Sequence, residues 1–297
     1  MSLLPSWMPQ VLRAWLREHT AEDVIRSSKM PAVYNIVQPD FTVETCIGSA
    51  ITPRQQSLLI RDPNGIINWL RLEDVIRLAL EGELSAPCLT IPKTHCITLP
   101  ANVSIWDMLV AWDRGIDWHR PLVITDAQEG IPNAILGIVA PGDILHYIYI
   151  YGWQLVNLLS QGVHLLDWDG KSLPLLYRGD PAYKALEMLL DPKSPGIIGL
   201  VERRGNLVGD INLPSLVPVQ EDNLDLSIRD YLDMAHYKYG MVTCSEKLTF
   251  GELLSKVVMH DTNHVWKLNT SGQPIGLIHL SHMLKFVKKQ TGISECI

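Results

Sequence analysis

The sequence predicts an α/β protein (α+β in detail) made of four copies of one β-α-β-β-α unit, paired two by two. Three observations predict it. A hairpin pattern recurs four times, the residues closing those hairpins are evenly spaced, and a strand-helix pair precedes each hairpin.

Each hairpin is two short apolar runs around a polar turn. The first is Ser57–Asp62, the turn Pro63-Asn64-Gly65, and Ile66–Leu70. The second is Pro121–Asp126 and Ile135–Val139. The third is Ile197–Glu202, the turn Arg204-Gly205, and Leu207–Ile211; the fourth is His264–Asn269, the turn Ser271-Gly272, and Ile275–Ile278. Glycine or asparagine in a short turn between apolar runs is what a hairpin needs. Asp74, Asp143, Ser215 and His282 follow equivalent strands at intervals of 69, 72 and 67 residues. Spacing that even marks an internal repeat.

Upstream of the hairpins lie four short strands, at Tyr34–Val37, Cys96–Leu99, Leu173–Leu176 and Gly240–Thr243. Each is followed by a helical pattern: from Val43, and at Ile105–Leu109, Tyr183–Leu189 and Phe250–Leu254. Apolar residues at i, i+3 and i+4 make these surface helices. Val11–Leu16 predicts a leading helix, and Thr20 with Asp23 a capping box before Val24-Ile25. One such unit cannot bury its own sheet, so the units must pair. Tyr149–Gly162 falls between the second and third copies and is the expected boundary. The first pair then spans 1–150, with repeats at about 21–82 and 88–150. The second spans 160–297, with repeats at about 165–220 and 228–290.

Composition narrows the function. Across 297 residues, 47% are hydrophobic and 19% charged, which is ordinary for a folded chain. The net charge of -7 argues against a general nucleic-acid surface but leaves room for a small anion held by local basic groups. The cysteines are odd in number, Cys46, Cys88, Cys96, Cys244 and Cys296, with no C-x-x-C pair. Neither a disulfide framework nor a zinc site is expected, and a reducing compartment fits. Met1–Gln10 does not read as a signal peptide. The most apolar stretch, Ile144–Leu159, is too short and too polar to span a bilayer. The expected setting is the cytoplasm, with the nucleus as a second compartment.

A β-α-β-β-α unit ending in a G-h-h-[ST]-x-x-D junction resembles the CBS domain. Four in tandem are similar to the gamma regulatory subunit of AMP-activated and sucrose-nonfermenting-type protein kinases. The resemblance runs from about Ala21 to Val287. It is carried best by Asp222–Ile228 with Tyr237–Cys244, and by Ile275–Leu284. Asp180–Leu186 and Trp118–Ile124 also match. Plant gamma-like proteins and yeast regulators that bind phosphatases share the layout.

The resemblance implies two Bateman modules forming a disc, with adenine nucleotide (AMP, ADP or ATP) as a regulatory ligand and no required cofactor. It also implies a protein partner, either kinase catalytic and scaffold subunits or a phosphatase. Residue-wise matching gives Asp74 and Asp143 as ribose candidates, and Arg54, His119, Arg120 and His264 as phosphate candidates. A carboxylate can accept both ribose hydroxyls, and basic groups neutralise phosphate. Each has a plainer reading. An Asp at a helix start caps it, which is worth roughly 1 kcal/mol without a ligand. Arg54 also reads as a solvated surface residue, and His264 stands where an Arg is expected.

The departures concentrate in the second module. The motif Ser/Thr is replaced by Arg71, Ala140, Asn212 and His279, and the motif Asp by Ser215 and His282. One or two working sites at most are expected, in the first module, and a scaffold without nucleotide sensing is the alternative. No G-x-S-x-G, H-E-x-x-H or P-loop pattern is present, so no catalysis and no metal site is assigned.

Overall fold

A computed structural model describes residues 8–27, 36–38, 40–47, 57–61, 67–91, 93–114, 118, 120–126, 135–166, 173–191, 194–216, 223–234 and 240–292. Four small sheets organise it. In repeat 1, β1 (Ile36–Val37) lies parallel to β2 (Ser57–Arg61), which pairs antiparallel with β3 (Ile67–Arg71). In repeat 2 the same order joins β5 (Ile97–Pro100), β6 (Leu122–Thr125) and β7 (Ile135–Val139). Repeat 3 uses β8 (Leu175–Tyr177), β9 (Ile197–Val201) and β10 (Leu207–Asn212). Repeat 4 uses β11 (Thr243–Cys244), β12 (His264–Leu268) and β13 (Pro274–His279). The hairpin strands are those read from the sequence, and each upstream strand overlaps its predicted one, β11 by Thr243 alone; the turn Pro63-Asn64-Gly65 lies outside the described residues. Repeat 1 gains an unforeseen edge strand, β4 (Thr94–His95), paired antiparallel with β3.

The crossover between the parallel strands is helical. In repeat 1 it begins with α3 (Val43–Thr45), beyond which residues 48–56 lie outside the described ones; in the others it is α5 (Ile105–Asp113), α8 (Ala182–Leu190) and α10 (Phe250–His260). After the hairpins come α4 (Leu72–Leu80), α6 (Pro141–Tyr151) and α11 (Leu280–Lys289). In repeat 3 the described part of the closing element is a 3-10 turn over Leu213–Leu216. The predicted leading helix is α1 (Met8–Glu18), and α2 (Ala21–Ser27) follows. The predicted Thr20–Asp23 box forms: the Thr20 N–H donates to Asp23 Oδ2 at 2.8 Å.

Four isolated bridges reveal how the repeats pair. Thr42, Ser104, Pro181 and Thr249 are the N-caps of α3, α5, α8 and α10, and each pairs with a segment preceding a repeat. Ser104 of repeat 2 pairs with Thr20 before repeat 1, while Thr42 of repeat 1 pairs with Pro87 before repeat 2. Thr249 pairs with Gly162 and Pro181 with Ser227 in the same exchanged sense. Repeats 1 and 2 are thus laced together within the chain, as are 3 and 4.

Within each pair the sheets pack on one another. Leu59 and Trp69 of repeat 1 meet Val123 and Ile138 of repeat 2. Ile197 and Leu207 of repeat 3 meet Trp266 and Leu277 of repeat 4. Helices join the two pairs. Leu72 and Ile76 of α4 enter the core of repeat 3 beside Ala185 and Leu189. Ile144 and Ile148 of α6 share a core with Leu254 of α10 and Leu284 of α11.

The cysteines depart from expectation. Cys46 and Cys88, both buried in the core of repeat 1, meet sulfur to sulfur as a disulfide pair, with Cα atoms 7.6 Å apart. An odd cysteine count excludes complete pairing and leaves one pair open. Cys96 and Cys244 remain thiols.

Candidate functional site

The helix that closes a repeat starts with unsatisfied backbone N–H groups, and its third residue is placed to answer them. Asp74, Asp143, Ser215 and His282 all occupy that third position, after N-caps Arg71, Ala140, Asn212 and His279. The predicted equivalence of the four is therefore geometric.

Their bonding is not equivalent. Asp143 Oδ2 accepts from the Ala140 N–H at 2.6 Å. Ser215 Oγ accepts from the Asn212 N–H at 3.3 Å and donates to Asn212 Oδ1 at 2.6 Å. His282 Nδ1 accepts from the His279 N–H at 3.1 Å. Asp74 instead takes Arg77, whose Nη1 lies 3.2 Å from its Oδ1, an exposed ion pair one helical turn long. Three of the four side chains are turned back on their own helix, and Asp74 points along it.

Asp143 is one of the two carboxylates of the set. Burial pushes it up to about 6; its bond from Ala140 opposes the rise, and the Asp261 charge adds to it. Asp261 ends α10 in left-handed backbone, φ 49°. Two acids of repeats 2 and 4 therefore interact across the junction of the two pairs.

Arg120 lies just before β6, half-buried. Its guanidinium carbon stands 5.2 Å from the centre of the Trp69 ring in repeat 1, a cation-π contact across the first pair. Its carbonyl oxygen accepts from Trp112 Nε1 at 2.8 Å, which fixes the backbone there. The Arg120 Nε is buried and makes no hydrogen bond to protein. Burial pushes the nearby Cys96 thiol up to about 12, against the pull of the Arg120 charge. Two residues earlier, Trp118 stacks on Trp112 at 6.1 Å and carries Lys285 of α11 5.7 Å from its ring centre. Arg54 and His119 lie outside the described residues.

His264 faces a different partner from any read in the sequence. Its Nε2 is 2.8 Å from Asp210 Oδ2, and Trp266 Nε1 donates to the same oxygen at 2.9 Å. Asp210 is 2% exposed and His264 9%. A buried carboxylate of repeat 3 thus holds two side chains of repeat 4. The strand ladder also corrects the alignment by one position. His264 pairs with the N-cap His279, as Ser57 pairs with the N-cap Arg71. It therefore corresponds to Ser57 and, one residue before Leu122, to Pro121 rather than to Arg120. Asp210 was missed because a lone acid in an apolar strand reads as solvent-facing; no sequence signal marked its partners.

Among the described residues, no helix is long and apolar enough to cross a membrane, and no group of three or more His, Cys, Asp or Glu could hold a metal ion.

The exchanged bridges, the repeated parallel-then-antiparallel sheets and the closing helices define a chain of four tandem CBS-type repeats. No family model matches the sequence, and none of the curated proteins does. Solved structures do match. One is a Methanocaldococcus jannaschii protein put forward as an archaeal homologue of γ-AMPK, with TM-score 0.64 and 13% identity over 86% of this chain and 97% of that one. An uncharacterized conserved protein from Pyrococcus horikoshii gives TM-score 0.56 and 15% identity over 90% and 99%. The CBS domain of a bacterial CNNM/CorC family Mg2+ transporter in complex with ATP covers 48% of this chain and 96% of its own, at 11% identity and TM-score 0.38. The first two share this chain's fold over nearly their whole length.

Proposed function

We propose that the protein is a non-catalytic regulator of the γ type, sensing adenine nucleotide between repeats 1 and 2 and passing the bound state to a protein kinase. The observation that carries this reading is the contrast at the third helical position. Asp74 keeps its carboxylate off the helix cap, whereas Asp143 accepts the N-cap N–H with its carboxylate, Ser215 with its hydroxyl and His282 with Nδ1. A carboxylate held that way can accept both hydroxyls of a ribose, exchanging an exposed ion pair for two charge-assisted hydrogen bonds.

Arg120 supports the phosphate end. It is anchored through Trp69 and through its own carbonyl, and its buried Nε is a donor for an incoming anion. His119 and Arg54 would add to this end. Asp143 is a second ribose candidate, weakened by its bond to Ala140 and by the burial that raises its pKa. Regulation then follows from linkage. A ligand touching two repeats favours one relative placement, and a partner preferring that placement gains the same free energy.

Calorimetric titration of the full chain with AMP, ADP and ATP tests the reading. Saturable heat that disappears in Asp74→Ala and in Arg120→Ala is the expected result. Heat that persists in both variants moves the site elsewhere and overturns the assignment.

The second reading is a scaffold that docks a kinase or phosphatase without sensing nucleotide. The Asp210–His264 bond favours it for repeats 3 and 4, because a phosphate candidate there is already bound to a buried acid. Flat isotherms with all three nucleotides, and partner docking unchanged by them, would select it.

A further inference from the structure

Four cross-strand pairs occupy the same place in the four sheets, two residues before the N-cap of the closing element. They are Trp69 with Leu59, Ile138 with Val123, Asp210 with Gly199, and Leu277 with Trp266. All four lie where paired sheets face each other. The repeat 1–2 interface therefore holds four side chains from these positions and the repeat 3–4 interface three, because Gly199 has none, and each includes one tryptophan.

The tryptophan changes sides. Between repeats 1 and 2 it comes from the first repeat, from the second hairpin strand, as Trp69. Between repeats 3 and 4 it comes from the last repeat, from the first hairpin strand, as Trp266. The residues around it compensate. Repeat 3 offers Gly199 and Asp210 where repeat 1 has Leu59 and Trp69. A Cβ on Gly199 would lie 2.9 Å from Trp266 Cη2, so the indole occupies the space that a side chain there would fill. Its far end is capped by Asp210 at 2.9 Å, and His264 bonds the same oxygen at 2.8 Å. Trp266 is 0% exposed and Lys267 beside it 1%. The Trp69 Nε1, by contrast, is buried without a hydrogen bond, and its ring carries Arg120.

We infer that the Trp266 indole is an internal occupant of the repeat 3–repeat 4 interface, a flat heterocycle whose N–H is read by a buried carboxylate, closing that pair without any ligand. Repeats 3 and 4 then form a permanently shut half of the molecule. The first pair's equivalent, Trp69, has an unbonded indole N–H and a cation on its face. This asymmetry stands on the side chains of repeats 3 and 4 and does not depend on nucleotide binding by repeats 1 and 2.

Hydrogen exchange on the full chain, with no nucleotide added, tests it. Trp266→Ala should raise exchange at the amides of β9 and β12 by about 100-fold while β6 stays within roughly threefold, because the opening is local. Added indole should restore most of the protection, since the cavity keeps the shape of the ring it lost and the Asp210 carboxylate that takes its N–H. Trp266→Phe, which keeps a ring and drops the N–H, is the variant to use if the alanine chain does not fold, with about a 10-fold rise expected. The inference is overturned by β9 and β12 exchange within about twofold of the parent in the folded variants, by equal loss of protection in β6, or by indole restoring nothing to Trp266→Ala.

Discussion

Asp74 and Arg77 form an ion pair of 3.2 Å on the outer face of α4, and the same Arg77 donates through Nη2 to the Leu190 carbonyl of α8 at 3.1 Å. One guanidinium thus touches the ribose candidate and the other repeat pair together. The Asp74 and Arg77 side chains are 21% and 45% exposed, which limits the pair's own contribution to about 0.5 kcal/mol. Arg77→Ala is expected to leave urea stability within about 0.5 kcal/mol of the parent. It should change nucleotide affinity by a few-fold if Asp74 holds the ribose, because the competing cation is gone. Paired urea melts and calorimetric titrations check both statements.

Asp143 sets a pH dependence of stability. Burial pushes its folded carboxyl up to about 6, from an ordinary value of 3.8. Between those values the folded chain binds more protons than the unfolded one, so this group makes stability fall as pH rises from about 4 to about 6. Above that window the ionised, buried carboxylate is a standing cost on the order of 3 kcal/mol. Asp143→Asn keeps an acceptor for the Ala140 N–H and removes the charge. It should raise the melting temperature at pH 7.5, with the gain shrinking towards zero at pH 4. Thermal melts of both proteins across that range provide the measurement, and a gain independent of pH would contradict the assignment.

Much of the architecture was legible because it lies in local pattern. The hairpins are written in apolar runs and in Gly205 and Gly272, and the equivalence of Asp74, Asp143, Ser215 and His282 follows from their spacing alone. The site was less legible, since a residue's type does not say where it spends its hydrogen bonds. Asp74 and Asp143 read alike in the sequence, yet one pairs with a solvent-facing Arg77 and the other turns back to Ala140. Asp210 and His264 are 54 residues apart and meet only because two sheets stack.

Gly272 offers a test of the turn chemistry in isolation. Its φ is 79°, backbone that favours glycine, and an added Cβ would meet nothing closer than Asn206 Oδ1 at 4.0 Å. Space is therefore available and only conformation is lacking. Gly272→Ala should cost about 1–2 kcal/mol from the left-handed backbone alone. Urea denaturation is expected to show that loss with an unchanged m-value, because the surface buried does not alter.

Ile76 tests how strongly the two repeat pairs are joined. It belongs to α4 of repeat 1, is 2% exposed, and packs in the core of repeat 3 beside Ala185 and Leu189. Truncating a buried isoleucine removes apolar contact and leaves a cavity, costing about 2–5 kcal/mol. In an ordinary core the whole loss appears as lower global stability. Here the cavity falls between separately laced pairs that α6 also joins to α10 and α11, so Ile76→Ala should broaden the unfolding transition as one of the two junctions loosens. Calorimetry distinguishes the outcomes: a single sharp transition shifted downward would mean that the four repeats share one cooperative core, and that α4 is no seam between halves.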